Sequence, residues 1–412
     1  VDFGAEIMSK KLTGQLKRTL GFPLLVLYGT GVTVGAGIYV LIGSVAGHAG
    51  TYAPWAFVLA AIVMGLTVGS YAELCTRYPV SAAEAAYIRA AFGSRLFSTL
   101  TGLLIIAVGV VSSATVSLGA AGYIQQFVDL PQSVIVVVVV IALGLVASWG
   151  ILESVLLASL FTLIEVGGLI IVVVAAVRAD VRVAPVLFNF PPLEFATLSG
   201  IAFASLLAFF AFVGFEDLVN IVEEAKTPHR NLPIAMALTL VITTLLYVGV
   251  CAIAVAAVPA ERLAASQAPL SLVFWEVAHV SPTTISAIAI VATLNTILAE
   301  MTMGARVIYG MARQGDLPRV MGEVHSKTAT PLRATASIVV GVLVLAMTVP
   351  FMRLAESTSI ATLVVFALVN LALLRLRWKG VPAHGKVFKV PLWVPIAGLV
   401  TCTIMITSAV FG

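Results

Sequence analysis

The 412-residue chain is short of charge: Asp, Glu, Lys and Arg make up 10% of it, where a soluble domain carries roughly 25%. Cysteine is also scarce. Cys75, Cys251 and Cys402 are widely separated, odd in number and form no CxxC pair, so neither a disulfide framework nor a zinc site is expected. The five histidines are scattered, which argues against a metal centre. There is no Walker loop and no G-x-S-x-G elbow, so an ATP-driven pump and a membrane hydrolase are both disfavoured, and no cofactor is expected. No low-complexity linker divides the chain, and a single domain over residues 1–412 is expected. A cleavable signal peptide is not expected either, because the first apolar run is long and interrupted by glycine.

What the chain has in excess is hydrocarbon. It is 60% hydrophobic with a mean hydropathy of +1.11, which makes it an all-α polytopic membrane protein. Eleven apolar spans are expected, at 22–47, 51–77, 96–127, 131–150, 154–178, 196–223, 231–258, 283–312, 332–350, 355–377 and 390–411. Lys and Arg mark the cytoplasmic side. With the N-terminus inside, 19 of the 23 fall on inner segments, and only Arg178, Arg182, Arg262 and Arg353 fall outside. The net charge of +4 therefore reflects loop bias at a cell membrane, not a nucleic-acid surface.

Two spans are interrupted. The first carries Gly35-Ala36-Gly37 at its middle, and glycine destabilises a helix by roughly 1 kcal/mol relative to alanine. The second runs Phe209-Phe210-Ala211-Phe212-Val213-Gly214-Phe215 and then meets charge at Glu216, Asp217, Glu223 and Glu224. Such spans are tolerated where the backbone opens into a cavity, and a pair of them points to the binding site of a secondary transporter. Amides of Gly35, Ala36 and Gly37 at a helix N-terminus suit a carboxylate. Carbonyls of Thr33, Phe210 and Val213 suit an ammonium, and Phe210 and Phe212 suit an aromatic lid. Close helix packing by small residues is the alternative for the glycines. Spans 1–5 (22–178) and 6–10 (196–378) read as two halves, the second inverted because each has an odd number of spans. The span at 390–411 lies outside that repeat.

These residues resemble the amino acid–polyamine–organocation (APC) transporter superfamily over most of the chain. Gly35-Ala36-Gly37-Ile38 is similar to its first-helix signature. Phe210 to Phe215, with Glu223-Glu224 and Lys226 to Pro233, is similar to its sixth-helix pattern. Tyr71-Ala-Glu-Leu74 with Pro79 and Phe92-Gly93, and Arg306 with Tyr309 to Arg313 and Gly315 to Pro318, are similar to two of its loops. The resemblance implies a five-plus-five inverted repeat. It also implies an amino acid or amine bound at the two breaks, with Phe210 as the gating aromatic, and alternating access. Two departures stand out: eleven spans where many relatives have twelve, and no glycine pair in the loop 79–87.

Glu165 lies deep in the fifth span, where an isolated carboxylate costs at least about 2.5 kcal/mol. A proton that neutralises it is favoured as the coupling ion. Sodium held with Thr293, Asn295 and Thr296 is the alternative, and a structural Glu165 is the third reading. In some members of the resembled family a lysine stands in this helix, opposite in charge. Ser112 is a candidate substrate contact, with hydroxyl capping of backbone as the bland alternative. Glu73 and Arg77 suit an i, i+4 pair bracing an inner gate. The combined expectation is secondary transport of small, neutral L-amino acids, proton-coupled, with the lipid bilayer as its setting. A polyamine transporter, a sodium symporter or an exchanger is the alternative. A channel is disfavoured because filters are usually oligomeric rings.

Overall fold

The computed structural model describes residues 20–79, 83–149, 155–222, 225–313, 315–325, 328, 330–383 and 386–411. The basic lead-in with Lys10, Lys11, Lys17 and Arg18, the pair Glu223–Glu224, residues 80–82 and Lys327 lie outside the described residues. The described residues are helical, with no strand among them. The helices are α1 (Phe22–Val34), α2 (Gly37–Ala49), α3 (Ala53–Arg77), α4 (Ala83–Phe92), α5 (Arg95–Ile124), α6 (Gln132–Trp149), α7 (Val155–Arg178), α8 (Ala184–Leu187) and α9 (Phe195–Phe212). They continue with α10 (Asp217–Asn220), α11 (Pro228–Ala257), α12 (Ala260–Ala265), α13 (Pro269–Ala278), α14 (Thr283–Arg313), α15 (Leu332–Thr348), α16 (Phe351–Trp378) and α17 (Trp393–Phe411).

Helix starts follow local chemistry. Pro sits in the first turn of α1, α3, α8, α11 and α13, where its missing N–H costs nothing. Ser94 caps α5 by accepting from Phe97 N–H. Among the described residues, eight helical stretches are long and apolar enough to cross a membrane. Shorter apolar helices stand at Phe22–Val34, Pro269–Ala278, Leu332–Thr348 and Trp393–Ala409. Three of these coincide with the start of the first expected span and with the ninth and eleventh. The fourth is α13. It buries Leu270, Val273, Phe274 and Val277 and lies against α2, α7, α11 and α14.

Both interruptions are present in the backbone. Between α1 and α2 the chain leaves the helix at Gly35 (φ 13°, ψ −141°). Between α9 and α10 it turns through Val213 to Glu216, with Gly214 at φ 121°, a conformation that excludes a β-carbon. The two broken helices lie side by side, and α1 and α2 also contact α11. Leu20, ahead of α1, pairs with Ala225, beyond α10, and its carbonyl accepts Lys226 N–H at 2.9 Å. The ends of the two interrupted segments are thus tied together.

The expected Glu73–Arg77 pair forms at 2.8 Å, but it is part of a larger latch. Fully buried Glu73 also takes Arg377 from α16 and the N–H of Val390 at 3.0 Å. Arg77 reaches Val381 O, and Phe388 N–H bonds Thr76 Oγ1. One carboxylate therefore fastens the α16–α17 connection to the end of α3. Leaving two half-buried guanidinium groups without it should cost about 3–5 kcal/mol. Glu73→Ala is expected to lower the thermal unfolding midpoint in detergent substantially, and an unchanged midpoint would refute the latch.

α4 is tucked under the helical bundle against α5 and α16. Its Glu84 is buried and accepts from Tyr71 Oη at 3.3 Å. Burial pushes the Glu84 carboxyl from 4.5 up to about 7, and nearby Asp217 adds to this, against its own backbone N–H and the Tyr71 hydroxyl. A carboxyl raised on folding contributes stability that is full below 4.5 and lost as pH climbs through 7. Wild-type protein should therefore lose thermal stability between those values, and Glu84→Gln should flatten that slope. Parallel pH profiles of the two unfolding midpoints would refute this.

Candidate functional site

The two breaks touch. A β-carbon on Gly37 would lie 2.5 Å from Ala211 Cα, and one on Gly214 would lie 2.6 Å from Val32 O. Each break therefore packs its glycine on the backbone of the other. The glycines serve close approach and opening together, which joins the two readings that the sequence leaves open.

At the first break the main-chain groups have particular partners. Gly35 N–H remains in the helical ladder, bonded to Gly31 O at 3.0 Å. Ala36 N–H leaves it and donates to Thr296 Oγ1 at 3.0 Å, while that hydroxyl donates to Ala292 O. Gly37 opens α2, so its N–H is a first-turn donor without a partner inside the helix. The Thr33 hydroxyl bonds back to Gly29 O at 2.8 Å. At the second break Phe210 O accepts Val213 N–H at 3.1 Å, and Gly214 N–H is capped by Glu216 Oε2 at 2.8 Å. Glu216 thus caps the turn, as an acidic side chain near a helix start does.

Tyr247, which sequence reasoning missed, sits between the breaks. Its hydroxyl lies 2.8 Å from Thr33 O, 3.2 Å from Val34 O and 2.8 Å from Ala211 O. Its ring meets Phe57 and Phe212 edge-on. Phe212 is fully buried in that aromatic group, and Phe210 is 4% exposed. The signal available was a tyrosine in the apolar stretch 245–257 of α11, because a buried phenol needs a partner.

Glu165 is fully buried. Its Oε1 accepts Asn295 Nδ2 at 3.1 Å, and its backbone carbonyl accepts Tyr39 Oη at 2.5 Å. Oε2 has no hydrogen-bond partner. Thr296 and Asn295 thus bring α14 against the first break and against Glu165. Thr293 bonds Ile290 O within its own helix. Ser112 donates to Glu300 Oε1 at 3.4 Å.

A cavity of about 340 Å³ adjoins the second break. Val213 and Gly214 line it, whereas Thr33, Gly35, Ala36, Gly37 and Phe210 do not. Four carboxylates face it, from Glu84, Glu216, Asp217 and Glu300, with Arg306 as the cation. Apolar groups such as Ile105, Val108 and Phe366 make most of its wall. No group of three or more His, Cys, Asp or Glu side chains able to hold a metal is found among the described residues.

A family profile described as amino acid permease matches residues 20–412. Among similar proteins is the branched-chain amino acid permease BcaP of Bacillus subtilis (strain 168), 32% identical over 406 residues, covering 93% of this chain and 86% of that protein. The mitochondrial cationic amino acid transporter 3 of Arabidopsis thaliana is 28% identical over 391 residues, covering 88% of this chain and 63% of its own length. The methylthioribose transporter of Bacillus subtilis (strain 168) is 26% identical over 417 residues, covering 94% and 87%. Taken with the helices long enough to cross a bilayer, these matches place the chain in the amino acid permease family, as a multi-pass membrane transporter and not an enzyme.

Proposed function

We propose that the protein moves small neutral L-amino acids across the cell membrane by alternating access, with the N-terminus in the cytoplasm. The observation that carries the reading is the meeting of two broken helices, Gly37 on Ala211 and Gly214 on Val32, with carbonyls of both at one phenol. Main-chain groups outside a regular helix are tolerated at membrane depth only where protein or a cavity satisfies them. In this reading the substrate carboxylate takes amides of Gly35, Ala36 and Gly37 at the start of α2. Its ammonium takes carbonyls of Thr33, Phe210 and Val213, with Phe210 and Phe212 as the gate and Ser112 at the margin. The side chains of Gly35, Ala36 and Gly37 at the first break are small and uncharged, which suits a neutral substrate, and a branched-chain amino acid permease is among the relatives. The halves 22–178 and 196–378 act as inverted repeats around this site, with 390–411 outside them.

Glu165 is the proposed coupling group. A fully buried carboxylate with one unpartnered oxygen is costly as an isolated charge and cheap as a neutral acid. A proton satisfies it without further ligands. Sodium is the weaker choice, since the Thr296 hydroxyl oxygen already accepts the Ala36 N–H.

A cationic amino acid or amine is the second reading. It is favoured by the four carboxylates and single cation on the cavity wall and by relatives named as cationic amino acid transporters. Uptake of leucine and of lysine into proteoliposomes separates the two readings. Leucine uptake inhibited weakly by lysine is the expected result, and the reverse preference favours the second.

Gly37→Val should abolish substrate binding, because a β-carbon there meets Ala211 backbone at 2.5 Å. The protein should still insert and purify, and near-wild-type affinity by thermal shift would sink the carboxylate role of this turn. Glu165→Gln should leave counterflow exchange but remove the response of uptake to an imposed pH gradient. A variant that still accumulates substrate up to the wild-type level under that gradient would rule out coupling through Glu165.

A further inference from the structure

Two successive residues of α14 hold two different partners. Asn295 donates its Nδ2 to Glu165 Oε1 at 3.1 Å. Thr296 accepts Ala36 N–H at 3.0 Å, and a β-carbon on Gly35 would lie 2.6 Å from the same hydroxyl. The circuit closes through α2, since Tyr39, two residues past Gly37, donates to the backbone carbonyl of Glu165 at 2.5 Å. Three hydrogen bonds, Asn295 to Glu165, Ala36 to Thr296 and Tyr39 to Glu165, are thus closed into one circuit by the backbone of 295–296 and 36–39.

We infer that Asn295 is a positioning residue that links the charge state of Glu165 to the Ala36 amide of the first break, acting through Thr296. This rests on Glu165 being the coupling acid and on the break being the substrate site. With Oε1 taken by an N–H donor and Oε2 unpartnered, the arriving proton adds to Oε2. The O–H bond formed at Oε2 replaces one broken in hydronium, which leaves as water, and deprotonation reverses the exchange. A hydrogen bond to a carboxylate is roughly twice as strong as one to a neutral group. Protonation therefore weakens the Asn295 contact, loosens residues 295–296 and lets Thr296 release the Ala36 N–H. That donor is one a substrate carboxylate needs, so proton and substrate favour the same rearrangement.

The other groups around Glu165 leave Asn295 as its polar partner. The helices packed on α7 are α1, α11, α13 and α14. The ionisable groups that feel the Glu165 carboxyl from across the packing are phenols, Tyr39 of α2 and Tyr247 of α11. α1 carries no charged side chain, Glu276 of α13 pairs with Arg262, and Glu300 of α14 is bonded by Ser112.

The test measures substrate affinity and gradient-driven uptake in proteoliposomes at an acidic and an alkaline pH. The variants are Glu165→Gln, Asn295→Leu, Thr296→Val and the double variant Glu165→Gln/Asn295→Leu, with counterflow exchange as the control for a folded carrier. Couplings of this kind are worth a factor of about 5 to 150 in affinity, so wild type should bind at least about fivefold more tightly at the acidic pH. Asn295→Leu should bring that ratio to within about twofold of unity, and adding it to Glu165→Gln should change nothing further, as expected of one coupled pair. Thr296→Val should also lose the pH dependence while leaving Glu165 and Asn295 untouched, and it decides the matter if Asn295→Leu fails in counterflow. If Glu165→Gln keeps a wild-type response to pH, the coupling acid itself is wrong. If Glu165→Gln loses that response while Asn295→Leu, or Thr296→Val in its place, keeps it, only the link through α14 is overturned.

Discussion

A phenol has one proton to donate, and Tyr247 offers it to three carbonyls within 3.2 Å. Two of them, Thr33 and Val34, end α1, and the third, Ala211, belongs to the last turn of α9. Opening a helix inside a bilayer releases carbonyls that lipid cannot satisfy, and a buried one left alone costs about 1–3 kcal/mol. Had each break been satisfied separately, the two could move without regard to each other. Sharing one donor makes them a single object: a shift of α1 away from α9 strands a carbonyl on one side or the other. The glycines impose the same constraint sterically, since Gly37 and Gly214 each rest on the opposite strand of backbone with no room for a side chain.

That constraint explains why charge gathers beside the second break. The turn from Val213 to Glu216 frees N–H groups as well as carbonyls, and Glu216 caps one of them, on Gly214. The carboxylate then faces a cavity that already carries Glu84, Asp217 and Glu300. The first break shows no such charge. It is served by neutral groups, the hydroxyls of Thr296 and Tyr247, and this asymmetry suits a zwitterion held by main chain.

Much of this was legible in the sequence because it is local. Glycines inside apolar runs mark both breaks, and the arrival of Glu216 and Asp217 after seven apolar or small residues marks where the second helix must end. The loop read at Lys226 to Pro233 is shorter than that, since α11 already begins at Pro228 and holds Pro233 within it. The missing parts are partnerships over long separations. Tyr247 lies 214 residues from Thr33, Asn295 lies 130 from Glu165, and Arg377 lies 304 from Glu73. Periodicity says that a helix exists but not which neighbour it faces. The Glu73–Arg77 pair could be read because four residues bring them onto one helical face. Its third member, Arg377, could not.

The same reasoning bears on how such a site avoids collapse. Polar main-chain atoms at a break have two ways to be satisfied, by ligand or by the protein itself. Here the protein supplies substitutes of matched chemistry, an acceptor hydroxyl from Thr296 for the Ala36 amide and a donor hydroxyl from Tyr247 for the carbonyls. A carboxylate and an ammonium present those same two characters with full charge, and charged partners make hydrogen bonds about twice as strong as neutral ones. In the proposed reading a zwitterion exchanges for these hydroxyls, its carboxylate for Thr296 at the Ala36 amide and its ammonium for Tyr247 at the carbonyls. A ligand with one pole only would replace one of the two substitutes, so in that reading the main chain itself favours amino acids.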